Sequence, residues 1–332
     1  MRAILMNEPG GPEMLQPGEI PAPEIETESQ MRVRLQAAGV NPVDTKLRAR
    51  GTYYPDRLPA ILGCDGAGVV EAVGPAVSRF HPGDAVFFCN GGIGHPPGTY
   101  AQYAVIEEDF AARKPNHASF AEAAAAPLVC IVAWEALHER ARVHAHQRVL
   151  VHAGAGGVGH VAIQLAKAAD CEVATTVGSG AQAAFVSDLG ADHIINYKET
   201  DPVESILEWT EGEGVDAAID TVGGETFEKT FPAIRPYGDL VTLLQPGPQT
   251  DWKIARLRNL RISLELMLSP MYLGWREAQR HQAHILEQCA GLMESKKLRV
   301  ALTREFPMEA VADAHRLLEA GGMTGKIALL IE

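Results

Sequence analysis

The sequence lacks three features that would each have defined a class of protein. No apolar run reaches the roughly 18 residues that a membrane-spanning helix needs, and residues 1–6 lead into a polar turn, not into the apolar core of a signal peptide. The five cysteines are widely spaced and form no CxxC pair, which is typical of reduced thiols. We therefore expect a cytoplasmic protein with no membrane partner.

An excess of basic residues is also absent. The 332 residues include 29 Lys and Arg against 42 Asp and Glu, which gives a net charge of −13. Nucleic-acid surfaces depend on clustered Lys and Arg that pair with phosphates, so this balance argues against a nucleic-acid partner. The content of 46% hydrophobic and 21% charged residues is ordinary for a globular enzyme. The chain is long enough to form two domains.

The most informative motif that is present is a GxGxxG turn, Gly154-Ala155-Gly156-Gly157-Val158-Gly159. It follows an apolar strand at 148–151 and precedes a helix whose apolar residues recur at spacings of four, three and four. In such a turn Gly154 lets the chain reverse tightly, and Gly159 lets the helix lie close to the strand. Gly156 and Gly157 let backbone N–H groups approach a pyrophosphate, whose charge faces the helix N-terminus. The motif therefore predicts a bound dinucleotide.

The end of the second strand of this region indicates which dinucleotide is bound. An Asp or Glu there binds the free ribose 2′-hydroxyl of NAD, but residues 171–177 end without one, and Glu172 lies too early in the strand. The hydroxyl of Ser179 leaves room for a 2′-phosphate, so NADP(H) is the predicted cofactor. NAD stays open as the alternative, because Gln182 stands where a cation that pairs with the phosphate is expected.

Strand and helix patterns divide the chain in two. Up to about residue 120, short strand-like runs are broken by Gly and Pro, as in a barrel-like β domain. Beyond that point strands alternate with helices, the pattern of a parallel sheet with right-handed crossovers. Strands are predicted at 148–151, 171–177, 193–197, 215–220, 239–244 and 326–331, with helices ending near 297 and covering 308–320.

Eight segments, in order and at familiar spacings, resemble the medium-chain dehydrogenase/reductase superfamily, and within it the zinc-independent quinone oxidoreductase branch. They are NPVD at 41–44, LGCDGAGVV at 62–70, GDAV at 83–86, GTYAQY at 98–103, the turn at 154–159, LGAD at 189–192, DTVGG at 220–224 and GK at 325–326.

This resemblance implies an α/β fold, with a Rossmann doubly wound parallel sheet plus a GroES-like β-barrel catalytic domain. The catalytic domain is expected at 1–122, the Rossmann domain at 123–276, and a return to the catalytic domain at 277–332. The active cleft would lie between the two domains. A homodimer formed through the Rossmann sheet is implied as well.

The resemblance also implies roles for individual residues along the cofactor. Backbone groups of Gly156, Gly157 and Val158 would bind the pyrophosphate. The residues expected to bind the remainder of the cofactor are Ser179 and Tyr197 at the adenosine end, Val222, Leu243 and Lys326 along its path, and Asn41 near the nicotinamide ribose.

Zinc-dependent relatives hold a catalytic metal with a Cys at the position of Asn41 and a His-Glu pair at the positions of Cys64 and Asp65. They also contain a four-Cys loop for a structural zinc. Neither set is present here, and Cys64 is the only N or S donor among the matching positions, whereas catalytic zinc needs about three. We therefore expect no zinc and no other metal; His281 and His284, three residues apart, are expected on a solvated helix face.

The missing metal limits the chemistry that the site can perform. Without a metal or a Ser-Tyr-Lys set, no group is evident that would take the proton from an alcohol. The sequence favours hydride transfer from NADPH to an electrophilic small molecule, either a quinone or the β-carbon of an α,β-unsaturated carbonyl.

Several side chains are candidates to stabilise the developing oxyanion or to line the acceptor pocket. Tyr53 or Tyr54 would stabilise the oxyanion or donate a proton, or would only pack on the barrel, and Asn41 would orient the cofactor and not react. His95 is another candidate proton donor. Met267, Met271 and Tyr272 would form an apolar wall or belong to the core.

Two other functions stay open. An enoyl-thioester reductase would need a basic patch for its carrier, for which Arg256, Arg258 and Arg261 are the only cluster. A crystallin-like or regulatory NADP-binding protein would keep the glycine turn but have no turnover.

Overall fold

Fifteen strands occur along the chain, and the computed structural model describes every residue from 1 to 332. The strands are β1 (Arg2–Met6), β2 (Leu15–Glu19), β3 (Gln30–Val40), β4 (Asp65–Val73), β5 (Ala85–Cys89), β6 (Tyr103–Glu107), β7 (Ala111–Arg113), β8 (Arg148–Val151), β9 (Glu172–Val177), β10 (His193–Asn196), β11 (Val215–Asp220), β12 (Ile234–Thr242), β13 (Arg261–Leu264), β14 (Leu302–Pro307) and β15 (Lys326–Leu330).

Eleven α-helices complete the regular structure. They are α1 (Pro42–Arg50), α2 (Phe120–Ala125), α3 (Pro127–Trp134), α4 (Gly157–Ala168), α5 (Gly180–Asp188), α6 (Pro202–Trp209), α7 (Glu225–Lys229), α8 (Lys253–Leu257), α9 (Ser269–Leu273), α10 (Arg276–Glu294) and α11 (Val311–Ala320). A π-helical segment, Glu135–Arg140, continues α3. None of the helices is both long and apolar enough to cross a membrane.

These elements form two compact units. Unit 1 contains Met1–Ile131 and Leu268–Glu332, and unit 2 contains Val132–Met267. The borders differ from the sequence prediction, which placed them at 122/123 and 276/277. At the first border the reason is packing, because α2 lies so close to β3 that a Cβ on Gly39 would be 2.3 Å from the carbonyl oxygen of Ala124.

Unit 2 contains a six-stranded sheet in the order β10-β9-β8-β11-β12-β13, and every neighbouring pair is parallel. Counted along the chain, this is the doubly wound order 3-2-1-4-5-6. Apolar residues of β8, β11 and β12 are buried, as expected for strands covered on both faces. The chain changes direction between β8 and β11, so the carboxyl ends of these two strands define the crevice in which such sheets bind ligands. The predicted Rossmann sheet is confirmed.

Unit 1 contains a mostly antiparallel sheet in the order β14-β15-β3-β4-β5-β7, with β6 also paired to β3, and a separate β1-β2 pair. The C-terminal strand β15 runs antiparallel to β3, with Ile327 opposite Val40. This pairing brings Lys326, at the start of β15, next to the end of β3, where Asn41 and α1 follow. The return of the C-terminal segment therefore completes the sheet and positions a lysine at the β3–α1 turn.

Candidate functional site

The glycine turn of unit 2 has the geometry of a dinucleotide cradle, although Gly154 has a different reason to be glycine from the one predicted. The left-handed residue of the turn is Ala153, with φ of 50°. A Cβ on Gly154 would lie 2.0 Å from Oγ1 of Thr175 in β9. Gly154 is therefore required by close packing against the neighbouring strand.

Gly159 fits its predicted role, whereas the N–H of Gly156, predicted to bind the pyrophosphate, donates to the carbonyl of Ala153 at 2.9 Å. A Cβ on Gly159 would lie 2.4 Å from the carbonyl oxygen of Ala153, so only glycine lets α4 approach the turn this closely. Gly156 is partly exposed, and a Cβ there would meet only that same oxygen, at 3.2 Å. The first intrahelical bond of α4 is donated by the N–H of His160 to the carbonyl of Gly156.

The N-terminus of α4 leaves donors available for an anion. The N–H groups of Gly157 and Val158 have no acceptor in the protein, as expected for the first turn of a helix. Both residues are partly exposed. Free amides and the helix dipole together favour a phosphate group, so the residues present fit the pyrophosphate of a dinucleotide.

His152, directly after β8, fixes the turn from inside. Its Nε2 lies 2.8 Å from Oγ1 of Thr230, whose hydroxyl proton is donated to the carbonyl of Thr226 at 2.6 Å. Nε2–H must therefore be the donor to Thr230. The other nitrogen, Nδ1, lies 3.3 Å from the hydroxyl of Thr176, which also accepts the N–H of Ala153. Burial lowers the pKa of His152 to about 4, so the ring is neutral.

This buried neutral histidine predicts a dependence of stability on pH. The unfolded ring, with a pKa of 6.5, binds a proton that the folded ring binds only near pH 4. His152 should therefore stabilise the fold fully above pH 6.5 and lose roughly 3 kcal/mol of that contribution as the pH falls towards 4. The free energy of unfolding in urea is measured for the wild type and for His152→Gln across this pH range. The advantage of the wild type should be largest above pH 6.5 and should shrink towards pH 4. The exposed His117→Gln serves as control, and a constant difference for His152→Gln would contradict the assignment.

The loop after β11 is held by a buried carboxylate. Asp220 accepts the N–H groups of Val222 and Gly223 through Oδ1, both at 2.9 Å, and the hydroxyl of Thr242 through Oδ2 at 2.8 Å. The N–H of Leu243 donates to the carbonyl of Asp220. These bonds fix the loop with the side chain of Val222 exposed at the carboxyl edge.

The adenosine end of the predicted site lies around Gly178. The hydroxyl of Ser179 begins α5 and accepts the N–H of Gln182 at 3.3 Å, and the Gln182 Oε1 accepts the N–H of Gly178 at 2.9 Å. A Cβ on Gly178 would lie 2.7 Å from the hydroxyl of Tyr197. The structure therefore brings Ser179, Gln182 and Tyr197 together, and none of the three carries a positive charge.

A cleft of about 1140 Å³ opens in unit 2 at the same edge of the sheet. Its lining includes His152 and Ala153 after β8, Thr176 in β9, Tyr197 after β10 and Val222 after β11. These residues follow or end four different parallel strands, which is where the crevice of a doubly wound sheet binds its ligand. Five of the residues that line the cleft are acidic and two are lysines.

Unit 1 contains a second candidate centre, a buried polar cluster of Asn41, Asp44, Asp65, Tyr100, His315 and Lys326. Lys326 Nζ donates to Oδ1 of Asn41 and to the carbonyl of Val40. Asn41 Nδ2 donates to Oδ2 of Asp65 at 2.8 Å. Asn41 and Lys326, both predicted to bind the cofactor, therefore bind each other, and neither side chain is exposed.

Burial shifts the ionisation of this cluster. Desolvation raises the pKa of Asp44 to about 7 and raises that of Asp65. It lowers the pKa of Lys326, against the opposing effect of the two carboxylates. The hydrogen bond to Cys89 lowers the pKa of the Cys64 thiol, but burial and the nearby carboxylates raise it more, so the thiol stays protonated.

No three His, Cys, Asp or Glu side chains are arranged to hold a metal ion. His281 and His284 are both exposed on α10, and His284 lies 3.3 Å from Glu287. The side chains at the positions of zinc ligands, Asn41 and Asp65, bond to each other and Asn41 also binds Lys326.

Aromatic side chains from three segments of unit 1 meet at its surface. The ring centroids of Tyr53 and Tyr272 are 4.9 Å apart, and Tyr54 contacts both Tyr272 and His95. The Tyr54 hydroxyl donates to the carbonyl of Tyr272 at 3.4 Å. Tyr53 is 40% exposed and Tyr272 is 45% exposed. Neither Tyr53 nor Tyr54 hydrogen-bonds to the buried polar cluster.

Most of the other side chains proposed from the sequence are buried or already have partners. Met267 and Met271 are buried, so they belong to the core and do not form an exposed wall. In the arginine cluster, Arg258 donates to the carbonyl of Ile234, and Arg261 pairs with Asp239. Two of the three arginines therefore already have partners in the fold.

Sequence reasoning missed the polar groups that hold these sites in place. Asp44, Asp65, Tyr100 and His315 were assigned no role, although the first three lie in the motifs quoted above. The available signal was a carboxylate among small and apolar residues, as in the run from Cys64 to Val70. His315 carried no such signal, because a histidine on an amphipathic helix is ordinary.

Two family models match the chain. The alcohol dehydrogenase GroES-like domain matches residues 27–116, and the zinc-binding dehydrogenase domain matches residues 189–329. Among curated proteins, the quinone oxidoreductase of Lama guanicoe is 32% identical over 100% of this chain and 98% of its own length. That of Pseudomonas aeruginosa is 33% identical over 97% of both.

Solved structures give the same relationship. An alcohol dehydrogenase superfamily protein from Novosphingobium aromaticivorans is 34% identical, with a TM-score of 0.92 and full coverage of both chains. The Escherichia coli quinone oxidoreductase complexed with NADPH is 29% identical, with a TM-score of 0.85, over 99% of this chain and 100% of its own. The matches cover both the segmented unit 1 and the sheet of unit 2.

Proposed function

The chain belongs to the quinone oxidoreductase family of the medium-chain dehydrogenase/reductase superfamily, and from this premise we propose that it transfers a hydride from NADPH to a quinone or an α,β-unsaturated carbonyl without a metal ion. The observation that carries the proposal is the glycine turn, in which the amides of Gly157 and Val158 are free and lie next to the partly exposed Gly156. NADPH supplies the hydride when bound. The protein supplies position and hydrogen bonds.

The proposed cofactor-binding residues lie one after another along the edge of the unit 2 sheet that the carboxyl ends of its strands form. The free backbone amides of Gly157 and Val158 bind the pyrophosphate, and Gly156, whose own N–H donates to the carbonyl of Ala153, leaves room for its approach. Gly154 and Gly159 allow the close packing that shapes the turn. Ser179 and Tyr197 bind the adenosine ribose, at a strand end with no acid to bind a free 2′-hydroxyl. The NADPH-bound Escherichia coli relative supports the choice of NADP(H) over NAD(H).

Residues on the loop after β11 and at the end of β12 line the rest of the path. Val222 and Leu243 offer apolar contact to the cofactor, and Asp220 fixes the backbone that bears them. Asn41 acts at the β3–α1 turn, where Lys326 holds it from the start of β15. Because both side chains are buried, they would position this turn near the nicotinamide ribose, and Pro42, which is exposed, would form its surface.

The donor set does not suit zinc, although one matching family model is described as zinc-binding. A zinc ion would need a ligand at the position of Asn41. The ammonium of Lys326 bonds to Asn41 there, and its positive charge would repel the ion. Asp65 already accepts from Asn41 and from the N–H of Leu128. The protonated Cys64 thiol is a poor ligand, since zinc binds the thiolate.

The acceptor would meet the exposed tyrosines of unit 1. Tyr53 and Tyr54 are the candidates to stabilise the oxyanion that forms after hydride transfer, because a phenol O–H can donate to it. Tyr54 would exchange its 3.4 Å bond to the Tyr272 carbonyl for the acceptor. His95, in edge contact with Tyr54, is a second candidate. We further propose a homodimer through β13, which is the edge strand of its sheet, ends at the exposed Leu264 and is followed by the exposed Leu266.

An acceptor panel tests the reaction class. NADPH oxidation is followed with a short quinone, a free enone, an enoyl-thioester and a simple ketone. Turnover with the quinone or the enone, at a kcat/KM at least about tenfold above that of the thioester, is expected. Preference for the thioester would favour an enoyl-thioester reductase. Saturable NADPH binding with no turnover on any acceptor would favour the crystallin-like alternative.

A further inference from the structure

The turn between β3 and α1 is held by a chain of hydrogen bonds that extends far from the turn itself. Asn41 begins the chain, and its amide orientation follows from its partners. Lys326 can only donate and the Asp65 carboxylate can only accept, so Oδ1 faces the lysine and Nδ2 faces the aspartate. The side chain is therefore locked, and only Pro42 and Val43 of the turn are accessible.

The backbone of Asn41 is fixed by a second carboxylate. Oδ2 of Asp44 accepts the N–H of Asn41 at 2.8 Å, the side-chain half of a capping box at the start of α1. The same oxygen accepts the hydroxyl of Tyr100 at 3.0 Å, and Cys64 Sγ lies 3.8 Å from Oδ1. Asp44 is fully buried, so its orientation depends entirely on these partners.

Tyr100 is oriented in turn by a histidine from the C-terminal segment. The hydroxyl of Tyr100 lies 3.3 Å from Nε2 of His315, which is on α11. Because the hydroxyl proton is donated to Asp44, Nε2–H must be the donor to the tyrosine oxygen. Nδ1 of His315 is then a buried acceptor without a partner.

The charged groups near His315 favour this neutral form. Arg48 on α1 forms a bidentate pair with Glu319 on α11, at 3.1 and 2.6 Å. Burial lowers the pKa of His315 to about 4, helped by Arg48 and opposed by Glu319. The ring is therefore a neutral donor at the end of a chain that contains Asp44 and Tyr100.

If His315 served only to fill space, a buried ring with an unpaired Nδ1 would be less favourable than an apolar side chain. An unsatisfied buried polar atom has lost its hydrogen bonds to water without replacement, and an apolar side chain of similar size would avoid that cost. The nitrogen that is satisfied is the one that reaches Tyr100. This contrast indicates that the histidine is kept for its bond to the tyrosine.

We propose that Tyr100 and His315 are positioning residues of the reductase, which hold Asp44 and thereby the β3–α1 turn in the place that cofactor binding requires. The chain runs from His315 Nε2–H to the Tyr100 oxygen, from the Tyr100 O–H to Asp44, and from Asp44 to the Asn41 backbone. Neither residue touches the reacting atoms. The proposal rests on the proposed function, in which this turn lies near the nicotinamide ribose.

The test compares binding of the whole cofactor with binding of its adenosine half. Tyr100→Phe removes only the hydroxyl, and His315→Leu removes the donor at similar volume. His315→Gln keeps an N–H that can reach the tyrosine oxygen. For each purified variant the Kd of NADPH and the Kd of 2′,5′-ADP are measured by calorimetry, with the melting temperature as a check of folding.

Tyr100→Phe and His315→Leu are each expected to raise the Kd of NADPH by about tenfold, the effect of one hydrogen bond. The Kd of 2′,5′-ADP should stay within about twofold, because that fragment ends before the nicotinamide. His315→Gln should restore most of the NADPH affinity. If Tyr100→Phe does not fold, the comparison of His315→Leu with His315→Gln tests the proposal.

A purely structural role would lower the melting temperature and leave the ratio of the two Kd values unchanged, and that outcome would overturn the proposal. Equal NADPH affinities for His315→Gln and His315→Leu would overturn it too. Failure of the proposed function is seen separately, in the wild type. If the wild-type chain binds 2′,5′-ADP and NADPH equally, the nicotinamide half makes no contact with the protein. In that case the proposed function fails in this respect, and the positioning role of Tyr100 and His315 fails too.

Discussion

Replacing Gly156 by alanine is expected to raise the Kd of NADPH by at least about tenfold, while the melting temperature stays within about 2 °C of the wild type. In the free protein the methyl group would have one close neighbour, the Ala153 carbonyl oxygen at 3.2 Å, which needs to shift by only a few tenths of an ångström. The methyl group would, however, stand where the pyrophosphate approaches the free amides of Gly157 and Val158. Fluorescence titration with NADPH and thermal unfolding measure the two quantities.

Two other glycines give matched controls. Gly291→Ala, in the last turn of α10, meets no atom within 4 Å and should leave NADPH binding unchanged. Gly159→Ala would place its Cβ 2.4 Å from a backbone oxygen and should destabilise the fold as well as weaken binding. Unaltered NADPH affinity in Gly156→Ala would show that the pyrophosphate does not approach this side of the turn.

Replacing Lys326 by methionine is expected to lower the free energy of unfolding by about 3–5 kcal/mol, the usual result of removing one partner of a buried charged group. The ammonium is buried and bonds to Oδ1 of Asn41 and to the Val40 carbonyl. Its loss leaves the Asp65 carboxylate uncompensated and the Asn41 oxygen unpaired. Chemical denaturation followed by fluorescence measures the change.

The buried charge itself is tested by a second substitution. Asp65→Asn in the Lys326→Met background removes the uncompensated carboxylate, and the double variant should be more stable than the sum of the single changes predicts. Lys297→Met replaces an exposed lysine and should change stability by less than about 0.5 kcal/mol. Strict additivity of the two buried changes would contradict a direct interaction.

The sequence was sufficient for the parts of the fold whose information is local. The apolar strand, the glycine turn and the helix at 148–168 are contiguous, so their pattern predicted the cradle and its exposed donors. The strand at 215–220 was predicted to the residue. The strand predicted at 239–244 begins earlier in the structure, at Ile234, because β12 pairs with β11 through an irregular register between Val215 and Ala217.

The buried polar cluster could not be predicted, because its members are distant in sequence. Tyr100 is 56 residues from Asp44 and 215 residues from His315. Lys326 meets Asn41 only because β15 returns to pair with β3. Residue types alone do not reveal that pairing, so sequence reasoning placed Asn41 and Lys326 along the cofactor as separate contacts.

The direct test of the central assignment is the steady-state kcat/KM for a quinone acceptor with NADPH and with NADH, before and after treatment with a chelator. The proposed function predicts oxidation of NADPH at a kcat/KM several-fold or more above that of NADH, unchanged by the chelator. Loss of turnover on chelation that is restored by zinc would contradict a metal-free mechanism. A preference for NADH would contradict the choice of NADP(H), which rests on the strand end beside Ser179 that has no acid to bind a free 2′-hydroxyl.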